Sequence, residues 1–317
     1  MNHSETGPGA TEGTWPSHDG EEPVVSHVVD ADGIPLSARV SRAARPRAVV
    51  LALHGGGTTS TYFDCPGRPP LSLLRTGAAL GFTVIALDRP GYGASAGHAE
   101  KVTEPAHRVD LAYTAVDRLL GSGHRGAGVF LLAHSAGSEL AVRMAADERG
   151  RDLLGLEIAG TGRQHHPRTA EVLESGETDA PRPVRDRNGL RDLLWGPSHL
   201  YPPDVFGGTA ISGPTPAYES EAQHWTREFP ELAARVRIPV RFSLGDQESV
   251  WRSGPAALAD IASLFTASPR VLVNEQPDSG HNLSLGNSAL AYHLSVLSFA
   301  EACGVSRTAR PDHGRTG

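Results

Sequence analysis

The segment Val129–Ala146, VFLLAHSAGSELAVRMAA, places Ser135 between a continuous apolar run and a stretch with helical apolar spacing. A serine on so tight a strand-to-helix turn needs very small residues two positions to either side, and Ala133 and Gly137 supply them around His134, Ser135 and Ala136. The first of these positions, ordinarily glycine, is alanine here. A serine at a helix start can act merely as a cap. With a strand before it and a helix after it, Ser135 reads instead as a nucleophile held clear of the backbone. Upstream, an apolar run ending at Leu53 passes into His54, Gly55, Gly56 and Gly57. A loop without side chains leaves amide N–H groups free to point at an oxygen bound beside the serine. The amides of Gly56 and Ala136 are therefore the expected oxyanion hole, with that of Gly57 next in line. His54 reads as structural.

A nucleophilic serine needs a base. Of the 15 histidines, His281 lies in a sharp local context, Pro277 to Asn282, after the last strand-like run. A loop there returns to the carboxyl edge of a sheet, where Ser135 also falls. His134 is locked in the turn, His165 and His166 are adjacent and point apart, and His98 and His224 have no partner motif. The third group, a carboxylate that orients the imidazole, should end the preceding strand. IPVRFSLGDQESVW offers both Asp246 and Glu248, and either can reach His281. No histidine or cysteine has zinc-ligand spacing, and Cys65 and Cys303 make no disulfide framework, so neither metal nor cofactor is expected.

These residues require a scaffold that brings them to one edge. Ala48–Leu53, Phe82–Leu87, Val129–Ala133, Leu153–Ala159 and Pro239–Leu244 are apolar runs too continuous for a sheet with one wet face, and they suit buried parallel strands. Helical spacing at Leu71–Leu80, Val102–Leu120 and Ser138–Ala146 alternates with them. The expected fold class is α/β, a doubly wound, mostly parallel sheet. A hairpin over Val24–Ser41, turning at Gly33, precedes it. The alternation stops near Gly160 and resumes near Arg237, and nine of the 24 prolines fall in residues 161–235. That stretch reads as a cap inserted over the sheet's carboxyl edge. The core is then residues 24–160 and 236–303, closed by a helix over Asn287–Cys303, with a disordered leader at 1–23 and a disordered tail at 304–317.

The composition of the 317 residues is globular, with 39% hydrophobic and 21% charged residues, and no apolar run is long enough to span a bilayer. A net charge of -7, with 28 scattered arginines and Lys101 as the lone lysine, indicates neither nucleic-acid nor membrane-surface binding. The N-terminus has no basic start followed by an apolar stretch, so a cytoplasmic protein is expected. The expected partner is a small-molecule acyl substrate, the kind of compound such a serine would attack.

His54–Gly57, Asp88–Ser95 (DRPGYGAS), Ala133–Gly137, Gly245–Glu248 and Ser279–His281 occur in the order and at the spacings of the α/β-hydrolase superfamily, which the chain resembles from about residue 24 to residue 303. In that family the acid stands three positions after the glycine, so the resemblance favours Glu248 over Asp246. It also implies that Asp88–Gly93 shapes the site without doing chemistry, and that residues 161–235 choose the substrate. The expected activity is hydrolysis of an ester or thioester of a small to medium, mostly apolar acyl compound through Ser135, His281 and Glu248. Trp195, Leu200, Tyr201, Val205, Phe206, Trp225 and Phe229 are available to line the acyl pocket or to pin the cap. A cluster of Arg182, Arg185, Arg187 and Arg191 reads as a solvated face. Residues 155–162 with Trp195–Pro197 and Tyr201–Pro203 also resemble the hydrolase-like enzymes that eliminate acetate from acetylated tetronates, which makes a polyketide-tailoring lyase the alternative. A non-catalytic binding protein on the same fold is the third reading.

Overall fold

The computed structural model describes residues 23–169 and 184–309. The expected leader, residues 170–183 of the expected cap with Arg182 among them, and the end of the expected tail lie outside the described residues, apart from Pro23.

β1 (Val25–Ala31) and β2 (Ile34–Ser41) form an antiparallel hairpin closed by Asp32 and Gly33. Both turn residues have positive φ, 53° and 83°, the geometry that matches strand twist and that an Asp-Gly pair adopts at little cost. Next come β3 (Val49–Leu53), β4 (Thr83–Leu87), β5 (Val129–His134), β6 (Gly155–Ala159), β7 (Val240–Gly245) and β8 (Val271–Gln276). The eight strands lie in the order β1-β2-β4-β3-β5-β6-β7-β8. β2 runs antiparallel to β4, and every later pair is parallel. The central strands are buried on both faces, which is why their sequences are continuously apolar. Along β3 the residues alternate between two cores. Val49, Leu51 and Leu53 belong to one, and Val50 and Ala52 to the other.

Helices cover both faces. α1 (Leu73–Ala79) and α7 (Ala289–Thr308) pack on one side. α2 (Pro105–Leu120), α3 (Gly137–Ala146) and α6 (Pro255–Leu264) feed the core on the other. Among the boundaries that differ from the sequence reading, two have a clear local cause. The first helical stretch breaks at Ser72, whose side chain accepts from the Arg75 amide and starts α1 there, after a 3₁₀ turn at Pro69–Leu71. The closing helix does not stop at Cys303 but continues to Thr308, because Gly304 is still buried and Arg307 donates to the Asp152 and Leu153 carbonyls.

The described part of the expected cap, residues 184–235, contains α4 (Val184–Trp195) and α5 (Trp225–Ala233), joined by turns. The Thr59 amide donates to Ile211 O at 3.0 Å and the Gly213 amide to Gly57 O at 2.9 Å, so the segment around residues 211–213 lies on the glycine loop after β3. Trp225 stacks on Phe229, which meets Phe265, and the Trp225 indole N–H donates to Thr161. These two cap aromatics are built into the core and pin the cap. Trp195, Tyr201 and Phe206 cluster separately, with Arg191 over the Phe206 ring. Cys65 and Cys303 are free, and burial pushes both thiols up to about 11. No helix among the described residues is long and apolar enough to cross a membrane.

Candidate active site

The strand register brings the site together. Leu53 pairs with Ala133, Ala133 with Ile158, Ala159 with Ser243 and Gly245 with Gln276. The carboxyl ends of β3 and β5 to β8 are thus level, and the loops they feed carry Gly55–Gly57, Ser135, Glu248 and His281. The order reverses at β3, between β4 and β5, so these loops leave the sheet around its switch point.

Ser135 has φ of 51°, a left-handed conformation that costs an L residue about 1–2 kcal/mol. Its amide donates to Ala159 O at 2.8 Å, which fixes the turn. Glycines make the turn possible. A Cβ at position 137 would stand 2.5 Å from the carbonyl oxygens of Leu53 and His54. At Gly160, where φ is 61°, a Cβ would lie 2.6 Å from the His134 ring. Gly137 was legible from the motif; Gly160 was not, because its obstacle comes from a different strand.

From the Ser135 hydroxyl to the His281 Nε2 is 3.1 Å. On the far side of the ring, Nδ1 lies 3.1 and 3.0 Å from the two oxygens of Glu248. His281 and Glu248 are buried, and Glu248 Oε1 also accepts the Val250 amide at 2.7 Å. With its proton on Nδ1, facing the carboxylate, the imidazole presents the Nε2 lone pair to the serine. Such a chain can remove the hydroxyl proton as the oxygen attacks a carbonyl carbon. Asp246 is placed otherwise. Its carboxylate accepts the amides of Asp278 and Ser279 at 3.1 and 3.0 Å, bracing the loop that carries His281.

A Cβ at Gly56 would lie 3.6 Å from Ala136 Cβ, so the two expected oxyanion donors are neighbours. Among the described residues neither amide has a hydrogen-bond partner. Gly57 differs, because its amide donates to the Tyr92 hydroxyl at 3.2 Å. His54 is fully buried and structural: its Nε2 accepts the Arg89 amide at 3.1 Å and its Nδ1 meets Gly55 O at 2.8 Å. Burial, reinforced by Arg89, holds its pKa well below the usual value. His134 stacks on Tyr62, and burial followed by His281 lowers its pKa as well. His165 stacks on Trp251. No group of three His, Cys, Asp or Glu among the described residues is placed to hold a metal ion.

Asp88 accepts Ser37 Oγ at 2.5 Å and the Ser60 amide at 2.6 Å, tying the loop after β4 to β2 and to the 3₁₀ turn at Ser60–Phe63. Arg89, 2% exposed, donates through Nη2 to Gly55 O at 3.1 Å and to Glu219 of the cap. The Arg89–Glu219 pair went unread in the sequence. Arg89 lies within the motif at 88–95, but Glu219 is 130 positions away in an unpatterned stretch.

Residues 49–295 match the model of the alpha/beta hydrolase family, and the chain belongs to that family. Its structure is similar to a bacterial membrane phospholipase A, at a TM-score of 0.62 and 18% identity over 87% of this chain and 86% of that one. A thermostable carboxyl esterase from Bacillus coagulans gives a TM-score of 0.62 at 18% identity, over 88% and 98% of the two chains. An N-acyl homoserine lactonase complexed with N-hexanoyl homoserine gives 0.60 at 18%, over 92% and 100%. At this identity the likeness is one of fold. A comparison with the curated proteins finds no match.

Proposed function

We propose that the protein is a serine hydrolase that cleaves an ester or thioester of a small to medium, mostly apolar acyl compound. The observation that carries this reading is the unbroken line from Ser135 Oγ to His281 Nε2, at 3.1 Å, and from Nδ1 to Glu248, at 3.0 Å. Ser135 Oγ bonds to the acyl carbon while His281 Nε2 takes the hydroxyl proton, and the carbonyl oxygen, now negative, accepts the Gly56 and Ala136 amides. The tetrahedral adduct collapses as His281 returns the proton to the departing alcohol or thiol. Water then attacks the acyl-serine with the same base, releasing the acid. Glu248, hydrogen-bonded to Nδ1, holds the ring in the tautomer that the first step needs.

The test is turnover of a panel of acyl esters in heavy-oxygen water, with products weighed by mass spectrometry. Hydrolysis puts one solvent oxygen into the acid released in each turnover. Release of acetate without solvent oxygen, paired with an alkene, would replace this reading by elimination.

A further inference from the structure

We propose that Glu219 sets the substrate class: its carboxylate lines the acyl side of the oxyanion hole and accepts a hydrogen bond from a donor, a hydroxyl or an amide N–H, carried on the acyl chain near the scissile carbonyl. This rests on the serine-hydrolase reading above.

Glu219 sits on a 3₁₀ helix, Ala217–His224, that the cap lays over the glycine loop. One of its oxygens, Oε1, is clamped by Arg89, which also holds Gly55. The other, Oε2, lies 2.9 Å from the point where a Cβ at Gly56 would stand, and the same point is 3.6 Å from Ala136 Cβ. The carboxylate therefore flanks the space beside the two free amides, and the missing side chain of Gly56 keeps that space open. The helix cannot easily swing away. The neighbouring Tyr218 hydroxyl donates to Pro90 O at 2.5 Å, and Arg108 stacks on the Tyr218 ring at 4.2 Å.

A carboxylate beside the place where negative charge grows in the transition state is unfavourable unless its own charge is engaged. Arg89 and the Tyr92 hydroxyl engage it from the protein side. A donor on the substrate engages it from the site, since a carboxylate oxygen has room for more than one hydrogen bond. A plain alkyl chain would cover Oε2, exclude water from it and add no hydrogen bond, and a site built around a polar group discriminates against a ligand that leaves that group's remaining accepting capacity unmet. The aliphatic remainder of the chain is still free to follow apolar surface.

The experiment compares kcat/KM for p-nitrophenyl β-hydroxybutyrate with its β-methoxy analogue, and for the β-acetamido ester with its N-methylated analogue. In each pair one donor hydrogen is replaced by a methyl group. In the wild-type protein at least one donor ester should be preferred by about 10- to 100-fold, the value of a hydrogen bond to a charged group. The pair that shows the preference tells hydroxyl from amide. In Glu219→Ala, and in Glu219→Gln should the alanine variant fold poorly, that ratio should fall toward unity whatever the absolute rates. Equal rates within both pairs for the wild type, or an unchanged ratio in a folded Glu219 variant, would overturn the assignment. So would a preference for a succinyl half-ester over both donor esters, since Arg89 rather than Glu219 would then meet the acyl group. If no ester turns over and a fluorophosphonate leaves Ser135 unlabelled, the hydrolase reading itself fails and takes the assignment with it.

Discussion

Asp246 and Glu248 stand two positions apart and do different work. Glu248 meets both its obligations inside the site, His281 Nδ1 and the Val250 amide, whereas Asp246 caps two amides of the loop below His281. Glu248→Gln should therefore lower kcat by up to about 10⁴-fold, because the imidazole loses the partner that fixes its tautomer and stabilises its charged form. Asp246→Asn keeps an acceptor oxygen for the loop amides and should change kcat by less than about tenfold. Steady-state kinetics on one activated ester decides between them, and the reverse ranking would move the orienting role to Asp246. Nothing in the stretch GDQESV distinguishes the two acids by type. The choice was legible only through the three-residue offset of the resembled family, and the physical reason for it appears only when the turn after β7 is seen.

The turns at the carboxyl edge decide whether these side chains meet. Gly137→Ala should disable the turn at Ser135, since the added methyl would face two backbone carbonyls at 2.5 Å that belong to a buried strand end. A cost of about 1–3 kcal/mol is expected, together with loss of nucleophile reactivity, measured by thermal unfolding and by labelling. An unperturbed, fully reactive Gly137→Ala protein would show that the turn is not as tightly packed as described. Trp225 belongs to the same scale. Because it stacks on Phe229 inside the core, Trp225→Ala should cost about 3–5 kcal/mol and should not reshape the chain-length profile of the esters accepted. A changed profile at unchanged stability would return Trp225 to the pocket wall. Elements buried on both faces, β3 to β7, were legible as apolar runs because burial leaves no choice of residue type. Residues 161–235 were legible only as an interruption rich in proline. The destination of its aromatics was not, since an aromatic lining a pocket and one packed in a core have the same local sequence.

Across the molecule, several histidines are buried without the means to carry charge. Among the described residues His293 has no hydrogen-bond partner on either ring nitrogen, and burial brings its pKa down to about 3. His54 and His134 are lowered in the same direction, chiefly by burial. A folded-state pKa below the unfolded value means that the unfolded chain binds more protons between the two. The stability contributed is therefore complete above about pH 6.5 and is lost as pH falls toward the folded pKa. Each such histidine should add a slope of about 1.4 kcal/mol per pH unit in that window. His293→Leu should flatten the pH dependence of chemical denaturation between about pH 6 and pH 4 by that amount, and an unchanged slope would show that His293 is not buried neutral. The fold as a whole was legible as alternating strand and helix, but its long-range ties were not: Arg89 to Glu219 joins the motif after β4 to the cap, and no local pattern announces such a pair. All of this scaffold serves one claim, that Ser135 is an activated nucleophile. The measurement that tests it most directly is intact-mass and peptide mapping after treatment with a fluorophosphonate, on the wild type and on Ser135→Ala. The account predicts a single adduct on Ser135, absent from a folded Ser135→Ala protein. An adduct at another serine, or stoichiometric labelling of the variant, would contradict it.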